Sequence, residues 1–166
     1  IALRLVGSEM CIRDSPHRAD EIYQMAKNKN ISACIESEGI NSDSSVLIIN
    51  SIGKTSQLYE YAEAAFVGGT LVERGGHNII EPAFFNCPII IGPSMFNFEA
   101  IAEDFIKNKA CRVVSDHRSL ANTFTDIMLN DVERLSMTNS ASMVIERNSG
   151  ASDLQLSAII DALNGV

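Results

Sequence analysis

A glycine-rich segment spanning residues 65–98, AFVGGTLVERGGHNIIEPAFFNCPIIIGPSMFNF, contains the residues best suited to bind a ligand. Its centre is the motif Gly75-Gly76-His77-Asn78, with Glu81 three residues further on. Adjacent glycines permit positive φ and a close approach to the backbone, and backbone amides ahead of a helix attract anions. The two oxygens of the Glu81 carboxylate can accept hydrogen bonds from a vicinal diol such as ribose. The segment therefore predicts a phosphate or nucleotide site.

The same residues also have plain structural explanations. Asn78 is a good helix cap, and Glu81 stands at the spacing of a capping box, so the motif could be a capped helix after a tight turn. His77 could bind phosphate or act as an acid, or it could form a polar edge. Arg74 could neutralise phosphate charge or point into solvent. The residues alone leave these alternatives open.

A second candidate is the turn Ile52-Gly53-Lys54, which follows the apolar stretch Val46–Asn50. A glycine directly after a strand lets a base or a phosphate approach, although it is equally typical of an ordinary turn before a helix. Further along the chain, Gly92-Pro93 and Asn97 are expected to close the far side of the site. Asn97 is predicted to be the N-cap of the following helix.

These candidates follow predicted strands in a chain whose strands and helices alternate. The predicted strands are Ile31–Ile35, Val46–Asn50, Ala65–Gly68, Pro88–Ile91 and Arg112–Val114. The first predicted helix begins near Pro16. Further helices are predicted over Ser56–Ala64, His77–Asn86 and Asn97–Lys107. From Arg118 to the end the pattern is helical, with breaks near Asn130 and Asn148–Gly150. Such alternation is typical of an α/β fold with a doubly wound parallel sheet. In these sheets ligands bind outside the carboxyl ends of the strands.

The composition is that of one globular domain, with 166 residues, 46% hydrophobic and 20% charged. The formal net charge of −8 argues against nucleic acid or an anionic membrane as a partner, because both need clustered Lys and Arg. The four cysteines and three histidines have no metal-binding spacing, so no metal and no cofactor is predicted. Cys34, Cys87 and Cys111 lie in or beside apolar runs and are expected to pack as small hydrophobes.

Residues 1–15, IALRLVGSEMCIRDS, fit no downstream pattern. The stretch VGSEMCIRDS resembles a translated sequencing adapter, of the kind found at the ends of environmental reading frames. We therefore predict that residues 1–15 are a non-native tract and that the native domain covers residues 16–166.

The segment 65–98 closely resembles the C-terminal domain of bacterial 3-deoxy-D-manno-oct-2-ulosonic acid (Kdo) transferases, which are GT-B glycosyltransferases. The resemblance extends from PHRADEI, which begins at Pro16, through Ile52-Gly53-Lys54 and the GGHN-x-x-E core, and it covers essentially residues 16–166. It implies a Rossmann-like donor-binding half of a GT-B enzyme. This family transfers Kdo from CMP-Kdo to lipid A precursor in lipopolysaccharide biosynthesis.

The resemblance also assigns residues. The family's CMP-contacting Asn-x-x-Glu falls on Asn78, Ile79, Ile80 and Glu81, and a second CMP-contacting turn falls on Ile52, Gly53 and Lys54. Lys54 departs from the acidic residue that is common there. The family's Arg-His pair before the proline is replaced by Asp14 and Ser15, so donor affinity is expected to suffer.

The resemblance further implies the partners CMP-Kdo and, through an N-terminal acceptor domain that has no counterpart in this sequence, lipid A precursor. That domain would also hold the catalytic base and the membrane anchor, so no catalytic residue is assigned here. The parent enzyme is expected at the cytoplasmic face of the inner membrane, and this chain itself is expected to be soluble. The alternatives are a GT-B domain that uses a UDP-sugar and an inert, truncated nucleotide-binding fragment.

Overall fold

The computed structural model of the chain describes residues 18–51 and 53–164. The predicted non-native tract 1–15 and Ile52 of the second candidate turn lie outside these residues. Within them, the predicted alternation of strands and helices is confirmed. The elements, in chain order, are α1 (Arg18–Asn28), β1 (Ala33–Ile35), β2 (Val46–Ile48), α2 (Thr55–Tyr59), β3 (Ala65–Phe66), α3 (Ile80–Phe84), β4 (Ile89–Ile91), α4 (Glu99–Lys107), β5 (Arg112–Val113), α5 (His117–Leu129) and α6 (Asp131–Asn164).

All described strand pairs are parallel, as predicted. β1 pairs with β2 over the full length of both strands, from Ala33 opposite Val46 to Ile35 opposite Ile48. β4 lies between β3 and β5 in a second, three-stranded sheet. The strands are short, and among the described residues they form these two parallel sheets rather than one continuous sheet.

The central strand β4 packs on both of its faces. Ile89, Ile90 and Ile91 are all 0% exposed. Ile89 and Ile91 belong to a cluster with Phe105 of α4 and residues of α3 and α6, whereas Ile90 belongs to a cluster with Ile127 of α5. An unbroken apolar run of this kind is typical of a parallel strand covered by helices on both sides. The doubly wound α/β class is therefore confirmed.

Three predicted helices are shorter in the structure, since the one predicted over Asn97–Lys107 begins at Glu99, and one predicted break is absent. The helix predicted over His77–Asn86 is α3, since the chain ahead of it forms a loop, and the helix predicted over Ser56–Ala64 ends at Tyr59. The break near Asn130 is confirmed, because α5 ends at Leu129. The break predicted near Asn148–Gly150 is wrong, because α6 runs through it.

The polar side chains at the predicted break are accommodated on the helix itself. Asn148 Nδ2 donates to the carbonyl of Val144 at 2.8 Å, and Ser149 Oγ donates to that of Glu146 at 2.8 Å. Such back-bonding satisfies these side chains without opening the helix. One interior glycine costs a helix only about 1 kcal/mol, so Gly150 does not end α6.

The 34 residues of α6 make it long enough to raise the question of a membrane span. Within the described part of the chain, however, none of the helices combines the length and the apolarity that a bilayer crossing requires.

Two thiols of the core should be nearly unreactive. Cys87 and Cys111 are 2% and 6% exposed, which confirms their predicted packing. Burial raises the pKa of both thiols to about 12, and nearby Glu63 adds to the effect at Cys87. Because the thiolate is the reactive form, we expect both to be alkylated at pH 8 about a hundred-fold or more slowly than in the unfolded chain. Peptide mapping after timed iodoacetamide labelling measures this.

Half-buried Cys34 serves as an internal reference. Labelling of Cys87 or Cys111 in the native protein at the rate seen in urea would contradict the buried packing. The same shifts make the free energy of unfolding constant below pH 9 with respect to these groups. It should fall between pH 9 and about 12, where the unfolded thiols ionise and the folded ones stay protonated.

Candidate functional site

Two loops meet beyond the carboxyl ends of β3 and β4, and Thr70 joins them. Thr70 is 0% exposed, and its Oγ1 donates to the carbonyl of Val67 at 2.7 Å. The same oxygen accepts a hydrogen bond from the amide of Gly92 at 2.7 Å, and the Thr70 carbonyl accepts one from the amide of Ser94 at 2.9 Å. The loop after β3 (residues 67–79) is thus fastened to the loop after β4 (residues 92–98).

This fastening brings the two backbones into direct contact. A Cβ atom placed on Gly92 would lie 2.3 Å from the Thr70 carbonyl oxygen, which no side chain could avoid because the neighbour is backbone. Gly92 was predicted to close the far side of the ligand site. The structure gives it a packing role, as the residue that lets two strand ends approach.

The diglycine turn is held against the second loop in the same way. Gly75 and Gly76 have φ of +80° and +70°, values that favour glycine. A Cβ atom on Gly75 would lie 2.5 Å from Phe96 Cε2, and one on Gly76 would lie 2.5 Å from Met95 Sδ. Both glycines are therefore required by packing as well as by backbone conformation.

The amides of the two glycines already have partners within the protein. The Gly75 amide donates to Ser94 Oγ and the Gly76 amide to the carbonyl of Gly69, each at 3.3 Å. These two N–H groups therefore do not supply the free phosphate donors that the sequence led us to expect of the diglycine turn. The turn serves as a frame, and donors for a ligand must come from residues after it.

Asn97 completes this frame rather than capping a helix. Its Nδ2 donates to the carbonyls of Arg74 at 3.1 Å and Gly76 at 3.4 Å, and its backbone amide donates to the carbonyl of Gly75 at 3.1 Å. The predicted N-cap role of Asn97 is wrong. The helix α4 starts two residues later, and the side chain is used across the loop instead.

The residues that follow the diglycine turn remain available. In the described part of the chain, the backbone amides of His77, Asn78 and Ile79 have no protein acceptor. The side chains of His77 and Glu81 are exposed, and the Glu81 carboxylate accepts no hydrogen bond from a described residue. Ile79 is 0% exposed, so its amide is out of reach of a ligand. The amides of His77 and Asn78, next to an exposed carboxylate, can bind an anion and a hydroxyl-bearing group side by side.

Asn78 keeps part of the capping role considered from the sequence. Its Oδ1 accepts a hydrogen bond from the Ile80 amide at 2.9 Å, which turns the chain into α3. The capping box with Glu81 does not form among the described residues. Ile79 is 0% exposed and anchors the loop in the core, whereas Ile80 is 40% exposed. Since α3 has only five residues, the free amides rather than a long helix dipole make the site attractive to anions.

The second candidate turn is placed by a different contact. Gly53 has φ of +85° and is exposed, like Lys54. The Lys54 ammonium pairs with the Glu36 carboxylate beyond the end of β1. Among the described residues, no hydrogen bond or ion pair joins this turn to the loop 67–79.

The sequence reading missed Thr70 and Glu36 and misassigned Asn97. The available signals were weak. Thr70 is a hydroxyl residue directly after the Gly68-Gly69 turn, and Glu36 is an acid directly after a predicted strand. Neither position reveals its partner, which lies 22 residues away for Thr70 and Gly92 and 18 for Glu36 and Lys54.

Removing the Thr70 hydroxyl should loosen the frame. Thr70→Val keeps the shape of the side chain. It leaves the Gly92 amide without its acceptor and removes the hydrogen bond that the hydroxyl donates to the Val67 carbonyl. We expect the free energy of unfolding in urea to fall by about 1–3 kcal/mol, the cost of buried unpaired polar groups. Thr125→Val is the matched control, because the hydroxyl of exposed Thr125 bonds, among described residues, only to the Ala121 carbonyl of its own helix. Equal losses in the two variants would contradict the role of Thr70.

Comparison with known proteins places this architecture. No family model matches the chain. It is 32% identical over 112 residues to the 3-deoxy-D-manno-octulosonic acid transferase of Haemophilus influenzae, which covers 67% of this chain and 26% of the relative. It is 29% identical over 149 residues to the enzyme of the same name from Rickettsia felis, covering 87% of this chain and 32% of the relative. The chain thus spans about a quarter to a third of the length of these relatives.

Among solved structures, the fold is similar to the C-terminal CMP-Kdo binding domain of WaaA from Acinetobacter baumannii. The TM-score is 0.75 and the sequence identity 29%, over 79% of this chain and 69% of that domain. Sequence and fold therefore agree with the expectation drawn from the GGHN-x-x-E segment. The chain belongs to the family of the 3-deoxy-D-manno-octulosonic acid transferases, and it has the fold of the C-terminal domain of that family.

Proposed function

We propose that the chain binds CMP-Kdo and forms the donor-binding half of a glycosyltransferase that transfers Kdo to lipid A precursor in lipopolysaccharide biosynthesis. The observation that carries the proposal is the likeness, in sequence and in fold, to the CMP-Kdo binding domain of the Acinetobacter protein. The free amides beyond the diglycine turn support it, because CMP-Kdo has a single phosphate that such a short row of donors can hold.

The proposed roles of the residues follow from the hydrogen-bonding groups that have no partner among the described residues. The amides of His77 and Asn78 hold the phosphate. The Glu81 carboxylate, which is exposed and accepts no hydrogen bond from a described residue, accepts from the ribose hydroxyls. Gly75 and Gly76 contribute by placing these amides, through their positive φ and their close packing on the loop after β4. Ile80 lies between the phosphate-binding and ribose-binding positions in the sequence, and its side chain is exposed.

The turn Ile52-Gly53-Lys54 forms the second part of the proposed site. Gly53 leaves room beside it, since nothing lies within 4 Å of the place where its Cβ would be. Lys54 gives this turn a positive charge where the family resemblance implies an acidic residue. The Lys54 ammonium is paired with Glu36, which fixes its position.

In the proposed reaction the donor half positions CMP-Kdo, and the acceptor half activates the hydroxyl of the lipid. A carboxylate base of the acceptor domain takes the proton from a hydroxyl of the lipid, the hydroxyl oxygen attacks the anomeric carbon of Kdo, and CMP leaves with inversion. The fixed amides of this chain stabilise the charge that develops on the leaving phosphate. Holding the two substrates in line supplies much of the rate. The parent enzyme works at the cytoplasmic face of the inner membrane, where its lipid acceptor is found.

Nucleotide preference tests the proposal. In calorimetric titrations of the 166-residue chain, we expect CMP to bind more tightly than UDP, since the site offers donors for one phosphate. We expect it to bind more tightly than UMP as well, since the chain resembles a CMP-Kdo binding domain. A preference for UDP would replace the proposal with a GT-B domain that uses a UDP-sugar. A folded chain that binds none of the three nucleotides would be an inert fragment, and the proposal would be wrong.

The Glu81 carboxylate should contribute to nucleotide affinity. Glu81→Ala is expected to weaken CMP binding by about 1–3 kcal/mol, because the ribose hydroxyls lose their hydrogen-bond acceptor. Glu73→Ala is the matched control, since Glu73 is an exposed carboxylate of the preceding loop and its removal changes the net charge equally. Unchanged CMP affinity in folded Glu81→Ala, or an equal loss in the control, would exclude the ribose contact.

A further inference from the structure

Polar side chains join the segment after β1 to the segment after β2. Glu36 is at the centre of this group, directly after the last residue of β1. Its Oε2 accepts a hydrogen bond from Ser51 Oγ at 2.7 Å, and its Oε1 pairs with the Lys54 ammonium. Alongside, Asn50 Nδ2 donates to Ser37 Oγ at 2.8 Å, and the Ser37 amide donates to Asn50 Oδ1 at 3.4 Å.

The contacts of Glu36 suit it to hold Lys54 and Ser51 in place rather than to bind a ligand. Its side chain is 13% exposed, against 56% for that of Lys54. Hydrogen bonds from Lys54 first and Ser51 second hold the pKa of this carboxyl below its ordinary value, so it is ionised. Both oxygens are already used by the protein, which leaves the outward-facing Lys54 as the exposed member of the pair.

Gly53 contributes no side-chain packing to the turn that Glu36 holds. Gly53 has φ of +85° and open space where a Cβ would be. Lys54 precedes α2 without a side-chain cap, and among the described residues Glu36 is the polar partner of its side chain. The position of the Gly53-Lys54 turn therefore depends on a contact with the neighbouring strand end.

We infer that Glu36 is a positioning residue of the nucleotide site, which holds Lys54 and thereby the Gly53-Lys54 turn in place for the ligand. The inference rests on the proposed function, in which that turn contacts CMP. It also accounts for the lysine at position 54. An ion pair can join two strand ends with the acid on either one. Because residue 54 is a lysine here, its partner must be an acid, and Glu36 is that acid.

Exchanging the charges tests this inference. Glu36→Lys and Lys54→Glu each place like charges opposite one another, so we expect each to weaken CMP binding about three- to ten-fold in calorimetry. The double variant Glu36→Lys/Lys54→Glu restores the bridge and should recover affinity to within about two-fold of the wild type. Recovery by exchange is a result that a merely destabilising substitution would not give.

Glu63→Lys is the matched control. Glu63 precedes β3, at the opposite end of the strand from the ligand loops, and it pairs with Arg134. The change in charge is the same, and CMP affinity should stay unchanged. If the reversed-charge variants fail to fold in urea titrations, Glu36→Gln takes their place. This variant keeps the size of the side chain but removes the ion pair, and it should weaken CMP binding.

The outcomes separate the inference from the proposed function. Absence of CMP binding by the wild-type chain overturns both. CMP binding that is unaffected in folded single variants overturns the inference alone. Single variants that bind weakly, with a double variant that does not recover, also overturn it, because the nucleotide would then require the charge of Lys54 itself rather than the bridge.

Discussion

The hydroxyl of Thr70 lies between the ends of two neighbouring strands and is used twice, as a donor to the Val67 carbonyl and as an acceptor from the Gly92 amide. With no solvent within reach, each of these bonds is costly to lose. The hydroxyl fixes the distance between the loops after β3 and β4, and the missing side chain of Gly92 makes that distance possible. The placement of Ser94, Asn97 and the diglycine turn depends on this separation.

A ligand loop fastened in this way loses little freedom on binding. Ser94 Oγ and the Asn97 amide group hold the turn from one side, and Ile79 anchors it in the core from the other. The amides of His77 and Asn78 are therefore held in a fixed arrangement before any ligand arrives, and such preorganisation reduces the entropic cost of association. The glycine amides bond within the protein, and the residues after them carry the free amides. This separation explains why the motif is longer than a phosphate alone would need.

Sequence reasoning reached the class of fold because that class is written in local patterns. The run Ile89–Ile91 and the alternation of apolar stretches are visible without knowledge of any contact. The family was reached through one long, specific segment. What failed were statements about single polar groups: the free amides expected at Gly75 and Gly76, the cap expected at Asn97 and the break expected near Gly150. Each depends on a hydrogen bond whose partner, whether a distant loop or a helix carbonyl, no local pattern identifies.

The double duty of the diglycine has a consequence for reading genomes. Because Gly75 and Gly76 are demanded by Phe96, Met95 and their own positive φ, a copy that had stopped using nucleotides would still need both to fold. If both glycines were kept in a degenerate gene, this would show only that its product can still fold. Loss of use would be recorded first at surface positions such as His77 and Glu81, where drift carries little penalty for the folded chain.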